Sequence, residues 1–357
     1  METLLMLLKK YLMYISQNYS YAILRPLQEE ILARGGEVAW FLEGKEVSPK
    51  HLTNDEQQLL SIDSVRAWNP EVVLVPGNVV PNFIPGIKVG VFHGFSVGKL
   101  NRRGRPDHFE IRNCFDLYCT QGPDTSIPFQ ALSVKHKTFS VVETGWSTLD
   151  PLFTKSPNNP YLDNNDKRKT ILMCSTFSRN LSCAPIVFEK IKALSETGEW
   201  RWLIQFHPKM DTAVVDLYKS IQSENLQFIE TDNVLPMLQA ADVMLCDTSS
   251  ILIMHLLQRK PVVAFNNNSG NECLIHIDKV EDIYTALCQA LAPSEQLMKK
   301  IDDYCNNIHP YNDGKSSTRV LQAVEQFSAG NYNSLASKPL NLIRKYKLRK
   351  KLNYWKW

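Results

Sequence analysis

Short runs of aliphatic residues alternate with helix-like segments along most of this 357-residue chain. The run Lys10–Ser16 (KYLMYIS) predicts a strand, and Tyr21–Arg34 predicts a helix whose leucine and isoleucine side chains share one face. Gly35-Gly36 ends that helix, and Glu37–Phe41 predicts a second strand. A strand, a helix and a second strand in this order favour a parallel sheet.

The same alternation continues in two series on either side of residues 154–168 (TKSPNNPYLDNNDKR), a stretch with few aliphatic residues that is typical of a linker. The further predicted strands of the first series are Val72–Val75, Lys88–Phe92, Leu117–Cys119 and Phe139–Glu143. Those of the second series are Thr170–Cys174, Trp202–Phe206, Gln227–Glu230, Val243–Cys246 and Pro261–Phe265. The chain is also too long for one ordinary core.

We therefore predict an α/β protein with two facing Rossmann-like domains, each built on a parallel sheet. The first comprises residues 1–155 and the second comprises residues 168–330, with a linker at 156–167 and a separate tail at 331–357. In open α/β sheets, ligands bind at the carboxyl ends of the strands, so we expect a ligand cleft where two such edges face each other.

The eight cysteines fall mostly in apolar segments and form no Cys-x-x-Cys pair, which indicates a reducing, cytoplasmic environment without a zinc site. The apolar start METLLMLLKK is interrupted by Lys9 and Lys10, so we do not expect a signal peptide. No run of about 18 apolar residues predicts a transmembrane helix.

The C-terminal tail is strongly basic. Its eight cations have no acidic neighbour in the last twenty residues: Lys338, Arg344, Lys345, Lys347, Arg349, Lys350, Lys351 and Lys356. Subtracting these eight charges from the net charge of +3 leaves −5 for the rest of the chain, which disfavours nucleic acid as a partner. Leucines, an isoleucine and four aromatic residues lie among the cations. This composition predicts contact of residues 338–357 with an anionic membrane surface on the cytoplasmic side, and the alternative is a solvated or disordered terminus.

The small polar residues Asp247-Thr248-Ser249-Ser250 separate two apolar runs. The first is VMLC, and the second, Ile251–Leu257, predicts the beginning of a helix. Asp, Thr and Ser are good helix N-caps, and the start of a helix can bind a phosphate or diphosphate. An ordinary capped helix is the alternative, since one of the four residues would suffice for a cap.

Two histidines follow predicted strands, one in each series. His93 and Gly94 come after the strand at 88–92, with Lys99 a short loop away, and His207 comes after the strand at 202–206. An imidazole can accept a proton from an attacking hydroxyl, and a second can donate a hydrogen bond to a phosphoryl oxygen. His255 could be structural or functional, and we expect the other five histidines to lie on the surface or in loops.

Six segments taken in order resemble the CDP-glycerol glycerophosphotransferase family, which includes teichoic-acid primases and polymerases. They are VFHGFSVGK (91–99), TGWSTLDPLF (144–153), ILMCSTFSR (171–179), LIQFHPK (203–209), CDTSSILIMHLLQRKPVVAF (246–265) and YNDGKSSTR (311–319). The resemblance covers roughly residues 10–330. It implies a GT-B fold and transfer of a polyol phosphate from a CDP-activated donor, CDP-glycerol above all, to a hydroxyl of a lipid-linked or growing polymer.

The resemblance also implies roles for individual residues. His93 corresponds to the family's catalytic base or its close helper, and His207 corresponds to a histidine that contacts the donor phosphate. The paired Ser249 and Ser250 imply diphosphate binding, to which we add Asp247 and Thr248, their neighbours in the turn. Ser175 and Thr176 correspond to a pair that lines the donor site, while Lys99 and Arg179 could stabilise the departing CMP.

The chain departs from the family pattern at three places, one of which is an extra residue in the loop before Lys99. Thr148 stands where the family commonly has an arginine, and Met254 stands where an acidic residue is expected. Two other functions therefore stay open, a GT-B glycosyltransferase that uses a nucleotide sugar and a non-catalytic subunit of a surface-polymer complex. No paired acids stand at a strand end, and we expect neither a metal ion nor a cofactor.

Overall fold

The structure is a computed structural model that describes most of the chain. The described residues are 9–95, 104, 107–154, 158–162, 165–231, 233–249, 251–267, 269–332 and 335–356. Two predicted site residues, Lys99 and Ser250, lie outside these ranges, as does part of the predicted linker.

The chain forms two compact units. The first comprises residues 1–151 together with 307–357, and the second comprises residues 152–306. We expected residues 168–330 to form one domain, but residues 307–330 belong to the first unit instead.

The first unit contains a parallel sheet of seven strands among the described residues, in the order β3-β2-β1-β4-β5-β6-β7. The strands are β1 (Lys10–Ile15), β2 (Glu37–Leu42), β3 (Gln57–Gln58), β4 (Val72–Val75), β5 (Ile87–Gly90), β6 (Leu117–Thr120) and β7 (Ser140–Glu143). The order reverses between β1 and β4, where Tyr11 pairs with Val72. Such a reversal places a crevice at the carboxyl ends of the two strands.

The second unit repeats this plan with six parallel strands in its described part, in the order β10-β9-β8-β11-β12-β13. They are β8 (Thr170–Ser175), β9 (Arg201–Phe206), β10 (Leu226–Phe228), β11 (Val243–Cys246), β12 (Val262–Phe265) and β13 (Ile275–Ile277). Here the order reverses between β8 and β11, where Cys174 pairs with Cys246. The prediction of two Rossmann-like domains with parallel sheets is confirmed.

Helices connect the strands and cover the sheets. Their bounds are α1 (Ser20–Ala33), α2 (Ile62–Trp68), α3 (Pro123–His136), α4 (Asp150–Phe153), α5 (Ala184–Glu196), α6 (Thr212–Ser220), α7 (Leu235–Ala240), α8 (Ile251–Leu256), α9 (Ile283–Leu291), α10 (Glu295–Ile308), α11 (Ser316–Ser328) and α12 (Leu342–Leu352). Helix α1 buries Leu24, Leu27 and Ile31 on the face turned to the sheet. The backbone of Gly36, just after the helix, packs tightly against it. A Cβ at this position would lie 2.7 Å from the Ile31 side chain.

Helix α11 shows why the chain returns to the first unit. Its buried residues Val320, Leu321 and Val324 belong to the same core cluster as Leu24 of α1 and Leu74 of β4. Residues 1–151 therefore do not complete their own core. The amphipathic face of α11 covers apolar surface that these strands would otherwise expose to water.

The C-terminal tail is also packed on the first unit rather than solvated. Tyr354 is 6% exposed and joins the core cluster that contains Phe83, with a ring-to-ring distance of 4.9 Å. The Arg349 guanidinium lies 5.0 Å from the centre of the Phe83 ring and donates to the carbonyl oxygen of Tyr354 at 3.2 Å. Among the described residues, no helix is both long and apolar enough to cross a bilayer.

Burial affects the rings of three histidines. We expected His108 and His309 on the surface or in loops. His309 does follow α10 in a loop but is almost fully buried, and the half-buried ring of His108 stacks on Phe92 at 5.2 Å. His255 of α8 is fully buried. Burial lowers the pKa of His255 to about 3 and that of each of the other two to about 4, because a charged imidazole loses its hydration there.

The docked tail makes a first prediction. The substitution Tyr354→Ala should lower the free energy of unfolding by about 3 kcal/mol, because it removes a buried aromatic ring and leaves a cavity beside Phe83. Trp355→Ala is the matched control on an exposed neighbour, expected to change stability by less than about 0.5 kcal/mol. Urea unfolding measures both variants, and equal effects would contradict the docking.

A second prediction concerns acid stability. An unfolded chain protonates His255 below pH about 6.5, whereas the folded protein resists protonation until pH about 3. The unfolded state thus binds more protons in this window, and stability falls as the pH falls through it. His255→Met should make the free energy of unfolding less dependent on pH by up to about 1.4 kcal/mol per pH unit.

The control is Leu256→Met, at an adjacent position that is equally buried and does not titrate. It should shift the stability without changing its slope between pH 6.5 and 4. Urea midpoints across this range measure the slope, and a His255→Met curve parallel to that of the unmodified protein would refute the assignment.

Candidate functional site

His93 lies at the carboxyl edge of the first sheet, beyond β5. The chain turns at Phe92, which is buried with φ of 60°, and leaves His93 exposed to solvent. The imidazole Nδ1 lies 3.1 Å from the carbonyl oxygen of Pro76, the residue that follows β4. Since a carbonyl oxygen can only accept, Nδ1 of a neutral ring carries the proton and Nε2 keeps its lone pair.

Gly94 continues this loop. Its carbonyl oxygen accepts a hydrogen bond of 2.8 Å from the side chain of Gln121, which is fully buried after β6. Apart from its two chain neighbours, no described residue has an atom within 4 Å of the position that a Cβ of Gly94 would occupy.

The carboxylate of Asp247 organises the corresponding edge of the second sheet. It is fully buried after β11 and accepts hydrogen bonds from four different residues. The donors are the hydroxyl of Ser175 at 2.5 Å and the amides of Thr176 at 3.0 Å, Cys183 at 3.1 Å and Ser249 at 3.2 Å. These bonds join the loop after β8, the start of α5 and the turn before α8 into one unit.

This network changes the roles expected for two residues. Asp247 and Ser175 were predicted to bind the donor, but both side chains are buried and bonded to each other. The Ser175 hydroxyl also lies 2.8 Å from that of Ser182. We correct both to positioning residues, which hold the backbone of the β8–α5 loop in place.

The turn before α8 precedes a short helix, and one of its backbone amides is already engaged. Thr248 is exposed and Ser249 is half-buried, so both side chains can reach a ligand. Helix α8 has six residues, and the Ser249 amide already donates to Asp247. Because α8 is short, it does not supply a large helix dipole at this turn. Because the Ser249 amide is already engaged, fewer than the four expected backbone amides can bind a diphosphate.

His207 follows β9 and has the opposite arrangement of protons from His93. Its Nδ1 accepts a hydrogen bond of 3.1 Å from the backbone amide of Lys209. The neutral ring must then carry its proton on Nε2, which makes that atom a donor. Burial, and secondly the charge of Lys209, lowers the pKa of His207, so the neutral donor form persists to lower pH.

One aromatic ring packs against this imidazole, and a lysine ammonium lies over the same aromatic ring. The ring of Phe177 lies 4.5 Å from that of His207, and the Lys209 ammonium lies 5.7 Å from the centre of the Phe177 ring. We did not predict a role for Phe177. Its signal in the sequence was a large aromatic residue directly after the pair Ser175-Thr176, at a strand end.

Arg179 projects into solvent from the same loop, with 88% of its side chain exposed, and pairs with Asp211 at 3.2 Å. A cavity of about 360 Å³ lies at the carboxyl ends of β9 and β10. Its lining includes Phe206, His207, Phe228 and Thr231. The volume falls within the range of small-molecule sites.

Two of the family-like segments, residues 144–153 and 311–319, meet within the first unit. Asp150 accepts the amides of Ser316 at 2.8 Å and Ser317 at 2.7 Å, and so it caps the start of α11. Gly145 has φ of 80°, and a Cβ there would lie 2.5 Å from the hydroxyl of Ser316. These segments fix the returning helix to the sheet, which gives them a structural role.

The Asp247 network makes a third prediction. Asp247→Asn replaces one acceptor oxygen with an amide that points at N–H donors, so we expect the free energy of unfolding to fall by about 2 to 4 kcal/mol. Thr248→Ala, on the exposed neighbour, should cost less than about 0.5 kcal/mol. Chemical unfolding compares the two, and a loss for Asp247→Asn no larger than the control would contradict the network.

The fold has relatives among solved structures, although no family model and no curated protein matches the sequence. A putative UDP-N-acetylglucosamine 2-epimerase from Listeria monocytogenes aligns with a TM-score of 0.65 and 16% identity, over 93% of this chain and 100% of that chain. Another UDP-N-acetylglucosamine 2-epimerase aligns with a TM-score of 0.60 and 15% identity, over 94% and 100%.

The wall teichoic acid polymerase TagF is similar to the same degree. It aligns with a TM-score of 0.64 and 13% identity, over 90% of this chain and 89% of that chain. At these identities the likeness concerns the fold. Together with the two parallel sheets, it establishes an α/β architecture of the GT-B type with two Rossmann-like domains.

Proposed function

We propose that this chain is a transferase that moves a polyol phosphate from a CDP-activated donor, CDP-glycerol above all, to a hydroxyl of a lipid-linked or growing cell-surface polymer. The observation that carries the proposal is the pair of hydrogen bonds at Nδ1, to a carbonyl oxygen in one histidine and from an amide in the other, which select opposite tautomers of the neutral rings. His93 presents a lone pair on Nε2, whereas His207 presents a proton on Nε2. Phosphoryl transfer to a hydroxyl needs one group of each kind.

In the proposed reaction, the acceptor hydroxyl oxygen attacks the β-phosphorus of the donor and a new P–O bond forms. The hydroxyl proton passes to Nε2 of His93 as this bond forms. The bond from the β-phosphorus to the oxygen that bridges to CMP breaks, and CMP leaves with the electron pair. The bond between Nδ1 of His93 and the Pro76 carbonyl stabilises the imidazolium that results.

His207 acts on the charge of the donor. Its Nε2–H donates to a phosphoryl oxygen, where negative charge grows as CMP departs. Thr176, Thr248 and Ser249 line the same sheet edge and contribute polar contacts to the diphosphate. Arg179, Lys99 and Ser250 complete the proposed donor set.

The cavity beside His207 provides space for the nucleoside. Phe206 and Phe228 supply apolar surface for a base or ribose, and Glu230 and Thr231 supply polar atoms at the rim. The fold also fits the proposal, because TagF is a teichoic acid polymerase and one solved form of it is named as soaked with CDPG.

A nucleotide-sugar enzyme is the second candidate. UDP-N-acetylglucosamine 2-epimerases align with the chain as well as TagF does, and a nucleoside diphosphate is common to both kinds of donor. The two candidates differ in the base and in the group attached to the β-phosphate, and the site residues described above distinguish neither.

A panel of donors separates the candidates. The purified chain is incubated with CDP-glycerol, CDP-ribitol and UDP-N-acetylglucosamine, with and without a lipid-linked acceptor, and products are identified by mass. CMP release coupled to a gain of glycerol phosphate on the acceptor is expected. Release of UDP, or conversion of the sugar without any acceptor, would replace the proposal with the second candidate. No turnover of any donor would favour a non-catalytic subunit.

The tautomers make a fourth prediction. Glutamine can donate a hydrogen bond but cannot accept the hydroxyl proton as a base. His93→Ala and His93→Gln should therefore be equally impaired, by about 10²- to 10⁴-fold in kcat. At position 207 the alanine variant should lose about 10²- to 10³-fold, and the glutamine variant should recover about tenfold of that loss.

His136→Gln is the control, since this imidazole lies at the last residue of α3, the end of that helix opposite the carboxyl end of β6, and it should stay within about twofold of the unmodified chain. Steady-state CMP release measures all five variants. Recovery by glutamine at position 93, or its absence at position 207, would contradict the assigned roles.

A further inference from the structure

A cavity of about 190 Å³ lies in the first unit between the sheet and the C-terminal tail. Most of its lining comes from the tail and from the segments around Asn82 and Asn113, while Lys88 lies on β5, five residues before His93. Within the described residues, its lining contains four cationic side chains and no carboxylate: Lys88, Lys338, Arg344 and Lys345. Asn82 and Asn341 add neutral amide donors.

The cations are held in place by contacts on opposite sides of the cavity. The Lys88 ammonium, from β5, donates to the Gly86 carbonyl oxygen at 2.6 Å, which engages one of its three N–H groups. Lys338, from the tail, forms an ion pair with Asp116 just before β6. The Arg344 guanidinium donates to the backbone carbonyl oxygen of Arg112.

The positive charge at this cavity exceeds its local compensation. Asp116 neutralises Lys338, and its other carboxylate oxygen accepts the backbone amide of Lys88 at 2.8 Å. The side chains of Lys88, Arg344 and Lys345 still add three positive charges around a half-buried space. Burial lowers the pKa of Lys88, because the charged ammonium loses hydration in this half-buried space, and an anion bound there would stabilise that charge.

Apolar side chains stand exposed next to this charge. Leu340, Leu342 and Ile343, which alternate along the chain with cavity-lining residues, are 67% to 75% exposed. Tyr346 and Trp355 are also exposed, and their rings lie 5.7 Å apart. A phosphate site for a water-dissolved ligand gains nothing from such a border, whereas a lipid presents an anionic head and apolar chains together.

We propose that this cavity binds the phosphate headgroup of an anionic membrane lipid, while the exposed apolar residues of the tail insert among the acyl chains. The protein would then bind the membrane through a defined headgroup site as well as through its net positive charge. The inference goes beyond the transfer reaction, and it holds whichever donor the enzyme uses.

The test compares two double variants that remove the same charge from the same surface region. Lys88→Gln with Lys345→Gln removes cations of the cavity, and Lys347→Gln with Lys350→Gln removes exposed cations of the tail outside it. Co-sedimentation with phosphatidylglycerol–phosphatidylcholine vesicles, without any donor present, gives the partition coefficient of each. The cavity pair should lose about tenfold more binding than the tail pair. Equal losses would show diffuse attraction and overturn the site.

Two further arms identify the occupant. Leu342→Ser with Ile343→Ser changes exposed residues and should weaken vesicle binding by at least about tenfold while leaving the melting temperature unchanged. Unchanged vesicle binding would overturn insertion. Inorganic phosphate at millimolar concentration should compete no better than chloride of equal ionic strength, and specific displacement by phosphate would reassign the cavity to a free anion.

The melting temperature and CMP release with a water-soluble acceptor are recorded for every variant. Loss of the proposed transferase function would appear in CMP release and leave vesicle binding intact. If the lipid site is wrong, the cavity variants will bind vesicles as the controls do, while CMP release stays intact. Truncation of the tail is a poor test, because Tyr354 belongs to the core of the first unit.

Discussion

All strand pairs in both described sheets run parallel, and this constraint determines where chemistry can take place. Every segment that follows a strand leaves its sheet at the same edge, so residues far apart in sequence become neighbours there. Pro76 after β4 contacts His93 beyond β5, and Thr176 after β8 contacts Asp247 after β11. These two edges hold the residues on which the proposed reaction depends.

At such an edge, side chains that support the loops and side chains that can meet a ligand look alike in sequence. Asp247 and Thr248 are adjacent and polar, yet one is fully buried and the other is exposed. The difference arises because Asp247 can satisfy its carboxylate with amides from a loop about seventy residues away. A carboxylate can be buried when several charge-assisted hydrogen bonds from the protein replace its hydration.

The sequence was a good guide to the strands and a poor one to long-range packing. Aliphatic runs located Val72–Val75 and Val243–Cys246 to the residue, because fully buried strands are apolar throughout. The edge strands Gln57–Gln58 and Ile275–Ile277 were missed, since short edge strands carry no such run. The histidines at both sheet edges were found by their position after strands, but their tautomers depend on a carbonyl and an amide that only the fold brings close.

The tail illustrates the same limit. Its composition indicated an attraction to anionic surfaces, but not that Arg349 and Tyr354 turn inward while Ile343 and Tyr346 turn outward. A periodic pattern is weak where cations and apolar residues occur on every face of a helix. The inward set is chosen by Phe83 and its neighbours, which lie more than 250 residues earlier in the sequence.

The return of the chain to its first unit has a consequence for synthesis. The first unit has its sheet from the earliest residues but obtains α11 and Tyr354 from the last fifty, whereas the second unit is a single continuous segment. During translation the second unit can therefore finish folding while the first still exposes apolar surface. The N-terminal half must wait until α11 and Tyr354 have left the ribosome, and a chain cut at the apparent domain boundary would leave that half with an unfinished core.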